Sequence, residues 1–249
     1  MAEELGVTKP TALSQIKLMG IKYSIPTQIP QLNQNHIKKR FDYAQQLVGK
    51  KVDDLIFIDE SYFQLYRNTF GNWHYEDECN FTTKPQTRIR FMVYGAISYY
   101  GKSELHIYDQ GFSINSEGYC QILSQILIPF AEDYYESYKR TRKERQFKDW
   151  YLIHDNVPSH KSKYTTKFLI ENTIETLNHP PNSPDLNPIE LIWAILKKRV
   201  EKQKPTNQEN LKAIIVEQWN LIELDIIQSC ISHFQSRIEY VYKLEGKFY

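Results

Sequence analysis

Two short apolar runs, each closely followed by an aspartate, constrain the fold of this chain more than any other feature. The first run is LIFI at positions 55–58, followed by Asp59, and the second is WYLI at positions 150–153, followed by His154 and Asp155. Short continuous apolar runs are typical of strands buried on both faces, and we expect the first strand to end at Asp59. Because helical patterns alternate with these runs, the sequence predicts a mixed α/β layer fold with helices packed on a sheet.

The remaining elements follow from hydrophobic periodicity and from turn residues. We predict helices at 35–48, 116–135, 159–172 and 187–203, two or three further helices up to residue 244, a hairpin of strands at 88–99 and 104–109, and a last short strand at 174–177. Lys38, Lys39 and Arg40 are expected on the exposed face of the first of these helices. Residues 189, 192, 193, 196 and 200 form one apolar stripe on the helix at 187–203.

Composition favours a globular, intracellular protein. The chain has 249 residues, of which 41% are hydrophobic and 14% aromatic, enough for one substantial domain with a small appendage. Its three cysteines, Cys79, Cys120 and Cys230, form no CxxC pair, which argues against zinc and favours buried reduced thiols. There is no signal peptide and no apolar run long enough to span a membrane, so we expect a soluble protein without a membrane partner.

The first fifty residues differ in charge from the rest of the chain. They carry seven Lys or Arg against three Asp or Glu, which leaves a slightly acidic remainder because the total net charge is +1. Thr8 is a candidate N-cap, and a short helix at 11–19 ends before Gly20, a pattern typical of the second half of a helix-turn-helix. We therefore predict a partial DNA-binding segment and linker helix at residues 1–50, and a metal-binding domain at residues 51–249. An ordinary helical hairpin remains the alternative for the first segment.

Three carboxylates are placed where they can serve phosphodiester chemistry. Asp59 and Asp155 follow the two buried strands, and Glu190 opens the helix in the phrase SPDLNPIE at positions 183–190. Mg²⁺ and Mn²⁺ prefer hard oxygen ligands and keep several waters, so two or three carboxylates suffice to hold them. Two such ions can activate an attacking oxygen and stabilise a leaving one.

Several of these positions have a plain structural alternative. With Asn187 as N-cap and Pro188 as the first helical residue, Glu190 fits a capping box, in which it would only bond back to the helix start. Glu60 should point to the opposite face of its strand from Asp59. His154 and His160 flank Asp155, either as zinc or acid–base groups or as hydrogen-bonded structural histidines.

Four stretches of the chain resemble the DDE transposases of the mariner superfamily. They are DLIFIDES at 54–61, MVYGAISYYGK at 92–102, LIHDNVPSH at 152–160 and PPNSPDLNPIELIW at 180–193. The separation of 34 residues between Asp155 and Glu190 is similar to that of one large branch of the superfamily. Relatives carry two helix-turn-helix units in front of the catalytic domain, whereas only the tail of the second, at about residues 3–21, is present here. On this comparison the chain is N-terminally truncated.

The resemblance implies a ribonuclease-H-like core and a DNA cutting and joining activity. It implies that Asp59, Asp155 and Glu190 are the catalytic residues and hold two Mg²⁺ (or Mn²⁺) ions, and that Asn156 shapes the site. Water then cleaves the transposon-end DNA, and the freed 3′-hydroxyl attacks target DNA, usually at a TA dinucleotide. The implied partners are double-stranded DNA, both transposon ends and target, and a second copy of the chain. The implied location is the nucleus, with a bacterial cytoplasm as the alternative.

Two basic runs are candidates for contacts to DNA phosphates. The first contains Lys139, Arg140, Arg142, Lys143 and Arg145, and the second contains Lys197, Lys198 and Arg199. Solvated helix or loop surfaces are the alternative for both. Two other functions also remain open: a transposase-derived, non-catalytic DNA-binding or assembly protein, and a structure-specific nuclease on the same fold.

Overall fold

The computed structural model describes residues 30–65, 89–109, 114–139 and 150–248, with isolated positions between residues 8 and 19. The chain forms two compact units, Met1–Gln31 and Leu32–Tyr249. In the first unit the backbone N–H of Thr11 donates to Thr8 Oγ1 at 3.4 Å, which is the N-cap contact predicted for Thr8. The rest of the predicted helix-turn-helix lies outside the described residues, so the DNA-binding segment at 1–50 stays a prediction.

The larger unit begins with a helix and alternates thereafter between strands and helices. In chain order its main elements are α1 (Gln34–Leu47), β1 (Leu55–Gln64), β2 (Arg90–Ser98), β3 (Gly101–Lys102), β4 (His106–Tyr108), α2 (Ser116–Ile122), α3 (Ile128–Lys139), β5 (Tyr151–His154), α4 (Lys163–Glu171), β6 (Glu175–Asn178), α5 (Ile189–Lys202), α6 (Gln208–Asn220) and α7 (Leu224–Lys243). Short 3₁₀ turns lie at Val52–Asp54 and Pro184–Leu186. A π-helical stretch, Leu123–Leu127, joins α2 to α3 just before Pro129, whose ring cannot fit a regular α-helical turn.

The strands form one mixed, six-stranded sheet in the order β3-β2-β1-β5-β6, with β4 also pairing with β2. Strand β2 pairs in antiparallel fashion with β1, β3 and β4, whereas the β1–β5 and β5–β6 pairs are parallel. This sheet, flanked by helices, has the ribonuclease-H-like α/β arrangement that was expected. It confirms the predicted hairpin and the final strand.

Alternate side chains of β1 enter two separate cores. Leu55, Phe57 and Phe63 pack with side chains of α1, α5, α6 and α7 in the larger core. Ile56 and Ile58 pack on the other face, with α2, α4 and the π-helical stretch. Burial on both faces explains why the start of this strand is a continuous apolar run.

Three local expectations were wrong. The first strand does not end at Asp59 but continues to Gln64, because β2 pairs with it along this whole length. Helix α4 begins at Lys163 rather than Ser159, since the Ser162 side chain accepts a hydrogen bond from Thr165 N–H and caps the helix there. Arg40 is not exposed: it is 0% exposed and bonds to Asp185 through two short hydrogen bonds of 2.7 and 2.8 Å.

Two of the three cysteines predicted to be buried thiols lie within the described ranges. Cys120 and Cys230 are free and buried, as predicted, while Cys79 lies outside the described residues. In the part of the chain that the structure describes, no helix is both long and apolar enough to cross a membrane.

Candidate active site

One cavity of about 320 Å³ brings together the three acidic side chains that the sequence pointed to. Asp59, Asp155 and Glu190 all line it, although they come from β1, the end of β5 and the start of α5. The rest of the wall is formed by Asn156, Val157, residues 179–184 and Asn187. The cavity therefore lies where the parallel strands end, the position at which open α/β sheets bind ligands.

Asp59 lies in β1 just beyond the last residue pair that joins β1 to β5. Its side chain is buried, and its Oδ2 accepts a hydrogen bond of 3.2 Å from the indole Nε1–H of Trp193. Burial raises the pKa of Asp59 well above its usual value, and the negative charges of Glu190, Glu60 and Asp155 raise it further. Among the described residues no lysine, arginine or histidine forms an ion pair with this carboxyl group.

Asp155 is held differently, by hydrogen bonds at the end of β5. His160 Nδ1 lies 2.8 Å from its Oδ1, and the backbone N–H of Val157 donates to the same oxygen at 3.2 Å. Burial alone would raise the pKa of Asp155, but these two hydrogen bonds and the charge of His160 outweigh burial and lower it below its usual value. Asp155 is therefore ionised and oriented at neutral pH.

Glu190 lies in the first turn of α5 without capping it. No side chain caps the start of this helix within the described residues, and Asn187 Oδ1 is buried without a hydrogen-bond partner. The capping-box alternative is therefore wrong, and the Glu190 carboxylate is available to the cavity. Burial raises the pKa of Glu190, while Lys197 lowers it and Asp155 raises it.

The three carboxylates suit divalent cations of the hard class. They supply oxygen ligands only, and their mutual repulsion in a buried place is what a bound cation would relieve. In the described ranges no three His, Cys, Asp or Glu side chains converge closely enough to hold one ion by themselves. A set of oxygen ligands fits Mg²⁺, which binds through one or two carboxylates and keeps several waters, better than it fits zinc, which favours histidine and cysteine.

The histidines next to Asp155 have separate roles. His154 Nδ1 is hydrogen-bonded to the hydroxyl of Tyr119, and burial lowers the pKa of His154 to about 3, so it stays neutral. The rings of His154 and His160 are stacked, with their centroids 5.2 Å apart. This geometry favours the structural interpretation for His154. His160 contacts Asp155 directly, as a hydrogen-bonded histidine of the kind that the sequence offered as one alternative.

Two other polar residues adjoin the site. Asn156 lines the cavity and donates a hydrogen bond to the backbone carbonyl of His179, so it ties the end of β5 to the segment after β6. Its site-shaping role stays a prediction. Glu60 alternates with Asp59 along β1, as expected, and its Oε2 is buried without a partner among the described residues. Burial raises the pKa of Glu60.

The structure separates the basic residues that were candidates for DNA contacts. Lys197 lies near Glu190, whose pKa it lowers, and Lys198 is exposed. Arg199 donates to the backbone carbonyl of Leu221 at 2.9 Å. Lys139 is the last residue of α3, whereas Arg140, Arg142, Lys143 and Arg145 lie outside the described residues. DNA binding by both runs stays a prediction.

The sequence did not reveal the residues that lie next to Asp59, nor the ion pair in the segment before α5. Trp193 was visible only as a member of an apolar stripe, because periodicity does not reveal the partner of its N–H group. Gly95 lies opposite Asp59 on β2, and a glycine inside a strand is a recognised sign of close approach by another group. Arg40 and Asp185 are 145 residues apart, and no local pattern connects them.

Comparisons with known proteins agree with this geometry. A family model described as DDE superfamily endonuclease matches residues 54–212. The transposable element Tc3 transposase of Caenorhabditis elegans is 27% identical over 250 residues, covering 98% of this chain and 72% of that protein. Among solved structures, the Mos1 transposase paired-end complex with the left transposon end has a TM-score of 0.71 and 19% identity, covering 99% of this chain and 73% of that one. The mariner Mos1 paired-end complex with Mg has a TM-score of 0.72 and 20% identity, covering 100% and 74%. These structural likenesses establish the fold.

Proposed function

Because this chain belongs to the DDE superfamily endonucleases, we propose that it is a mariner-type DNA transposase. Its reaction is the cleavage of transposon-end DNA followed by strand transfer into target DNA. The observation that carries this proposal is that Asp59, Asp155 and Glu190 line one cavity, where, within the described residues, no lysine, arginine or histidine forms an ion pair with Asp59.

The proposed ligands are the carboxylates of Asp59, Asp155 and Glu190, which would hold two Mg²⁺ or Mn²⁺ ions. When bound, such ions lower the pKa of a bound water and stabilise the charge on a leaving oxygen. Asp155, already ionised and oriented by His160, needs no change of protonation to take part. Burial raises the pKa of Asp59, so a cation held there would favour the ionised form that burial disfavours.

The proposed chemistry is two successive attacks on phosphorus at the same cavity. In cleavage a water oxygen attacks the phosphodiester, and the bond to the 3′ oxygen breaks, so the cut strand keeps a 3′-hydroxyl. In strand transfer this hydroxyl attacks a phosphodiester of the target, and the 3′ oxygen of the target strand leaves. Asp59, Asp155 and Glu190 act on both steps from fixed positions, and Asn156 holds the segment 179–184 that walls the cavity.

DNA binding is proposed for basic residues in three parts of the chain. Lys197, whose charge lowers the pKa of Glu190, would contact a phosphate next to the scissile one. The basic run at residues 139–145 and the segment at 1–50 would supply further salt-sensitive contacts. A homodimer on paired ends and a nuclear location are proposed from the family alone.

A non-catalytic DNA-binding role is the less favoured alternative. A protein that had lost its chemistry would have no reason to keep three mutually repelling carboxyl groups at one cavity, because each raises the cost of burying Asp59. A structure-specific nuclease would keep the same acids. The similarity to the Tc3 transposase over 98% of this chain makes the transposase the better proposal.

Nicking of supercoiled plasmid in Mn²⁺ tests the proposal. The protein should nick only with a divalent cation and leave 3′-hydroxyl ends that a polymerase can extend. Asp155→Asn should lower the rate by roughly 100-fold or more, since a lost ligand costs several kcal/mol of transition-state stabilisation. Asp109→Asn is the control, because Asp109 is an exposed carboxylate outside the cavity. Nicking without a cation, or undiminished nicking by Asp155→Asn, would contradict the proposal.

A further inference from the structure

The hydrogen bond between Trp193 and Asp59 joins two buried groups across the site. Trp193 is 1% exposed and Asp59 is 8% exposed, and the indole Nε1–H donates to Asp59 Oδ2 at 3.2 Å. Trp193 lies on α5 about one helical turn after Glu190. Helix α5 therefore carries Glu190 and also contacts Asp59, through the hydrogen bond from Trp193.

An indole is chemically suited to orient a metal-binding carboxylate. Its N–H is a donor only and carries no charge at any working pH. A lysine or arginine at this place would also fix Asp59, but its positive charge would compete with a divalent cation for the carboxylate. Trp193 occupies one lone-pair direction of one oxygen and adds no charge, so the remaining lone pairs of the carboxylate stay available to the cavity, which Asp59 lines.

A glycine in the sheet provides the space that the indole needs. Gly95 is the residue directly opposite Asp59 in the β1–β2 pair. A Cβ at Gly95 would lie 3.1 Å from Trp193 Cη2 and 3.0 Å from Leu105 Cδ2, closer than side chains normally approach. A side chain at this position would require Leu105 or the indole ring beside Asp59 to shift by a few tenths of an ångström.

We propose that Trp193 is a positioning residue for the metal site, and that Gly95 provides the space for it. The indole N–H fixes the direction of the Asp59 carboxylate before a cation arrives, so binding pays no cost for ordering that side chain. Hydrogen bonds of this kind to a metal ligand typically change metal affinity by 10- to 100-fold. The inference rests on the proposed function, because it assigns Asp59 to a cation.

Mn²⁺ affinity, measured from the EPR signal of free Mn²⁺, tests the inference without relying on activity. Trp193→Phe keeps an aromatic ring and removes the N–H group, and it should weaken Mn²⁺ binding about 10-fold or more. Trp219→Phe is the matched control. Trp219 is equally buried, its ring stacks on that of Trp193 with the ring centroids 5.4 Å apart, and its N–H donates to Ser103 O at 2.9 Å. Trp219→Phe therefore disturbs the same packing without removing a hydrogen bond to Asp59, so Mn²⁺ affinity should change less than about twofold while stability falls similarly.

A double-mutant cycle and a second variant make the test specific. In an Asp59→Asn background, Trp193→Phe should have no further effect on Mn²⁺ affinity, because the metal-binding carboxylate that the indole N–H orients is then absent. Gly95→Ala, which keeps the N–H group but displaces it, should also weaken Mn²⁺ binding. Gly95→Ala therefore tests the positioning role even if the Trp193→Phe variant does not fold.

The possible outcomes separate the two proposals. If the wild-type chain binds Mn²⁺ and Trp193→Phe binds it equally well, the positioning role is wrong and the proposed function stands. An equal loss in Trp193→Phe and Trp219→Phe would likewise overturn the positioning role, since general loosening of the core would explain both. If the wild-type chain binds no Mn²⁺, both the inference and the proposed function fail.

Discussion

Asp185→Asn should destabilise the protein far more than a carboxylate substitution in a turn normally does. Asp185 accepts two hydrogen bonds from the guanidinium of Arg40, at 2.7 and 2.8 Å, and the Arg40 side chain is fully buried. The same guanidinium donates from Nε to the backbone carbonyl of Gly246 at 3.0 Å and lies 4.3 Å from the ring centre of Phe248. The asparagine keeps the shape of the aspartate but leaves the charge of Arg40 buried without a counter-ion.

The expected loss follows from this burial. Removing one partner of a buried ion pair typically costs about 3–5 kcal/mol, whereas an exposed pair contributes about 0–1 kcal/mol. The Lys212–Asp109 pair is the matched control, since the Asp109 side chain is 82% exposed. Replacing both Arg40 and Asp185 by apolar residues should cost less than Asp185→Asn alone, because no charge is then left unpaired.

Urea unfolding measures these differences. Asp185→Asn should lower the free energy of unfolding by about 3–5 kcal/mol, in 1 M salt as well as in dilute buffer, because a buried pair is poorly screened. Asp109→Asn should lower it by less than about 1 kcal/mol. A loss below about 1 kcal/mol for Asp185→Asn, or a loss that disappears in high salt, would refute the reasoning and show that the pair is solvated.

Two further predictions concern the buried acid and a glycine near the C-terminus. Because the pKa of Asp59 is raised in the folded state, its contribution to stability is present at low pH and lost as pH rises through the folded pKa. In EDTA at pH 8, Asp59→Asn should therefore be more stable than wild type by about 1–3 kcal/mol. Urea unfolding should show that this difference in stability becomes smaller toward pH 4. Equal stability of the two proteins at pH 8 would contradict the burial argument. Gly246→Ala should cost roughly 2–4 kcal/mol, because Gly246 has a φ of +87° and a Cβ there would lie 2.0 Å from Ile37 O. Gly49→Ala, with a φ of +84° and nothing within 4 Å, should cost only about 1–2 kcal/mol, and equal losses would exclude the close contact as the cause.

The parts of this site that local sequence can encode were predictable. A buried strand shows as a continuous apolar run, so the sequence located Asp59 and Asp155 beside two strands that are neighbours in the sheet. Apolar periodicity and the turn residues before Glu190 located the start of α5 to within two residues. The resemblance to a known family then indicated that Glu190 acts together with Asp59 and Asp155. The helix pattern alone did not indicate this.

The parts that depend on contacts between distant residues were not predictable. Arg40 follows two lysines and looked like a third exposed cation, but its partner Asp185 is far away in the sequence. The capping box around Glu190 was a sound local expectation. It failed because the helix begins at Ile189 with Pro188, rather than Asn187, at the N-cap, and no side chain among the described residues caps it. The length of β1 was set by its pairing with β2, which the apolar pattern does not contain.

Glu190→Gln in the Mn²⁺ plasmid-nicking assay tests the central claim most directly, because Glu190 is the residue whose structural and chemical interpretations differ most. The substitution keeps the size of the side chain and the first turn of α5, so the thermal midpoint in EDTA should stay within a few degrees of wild type. If Glu190 is a metal ligand, the nicking rate should fall by roughly 100-fold or more. A variant that folds normally and nicks at the wild-type rate would contradict the account, because the site would then function without its third carboxylate.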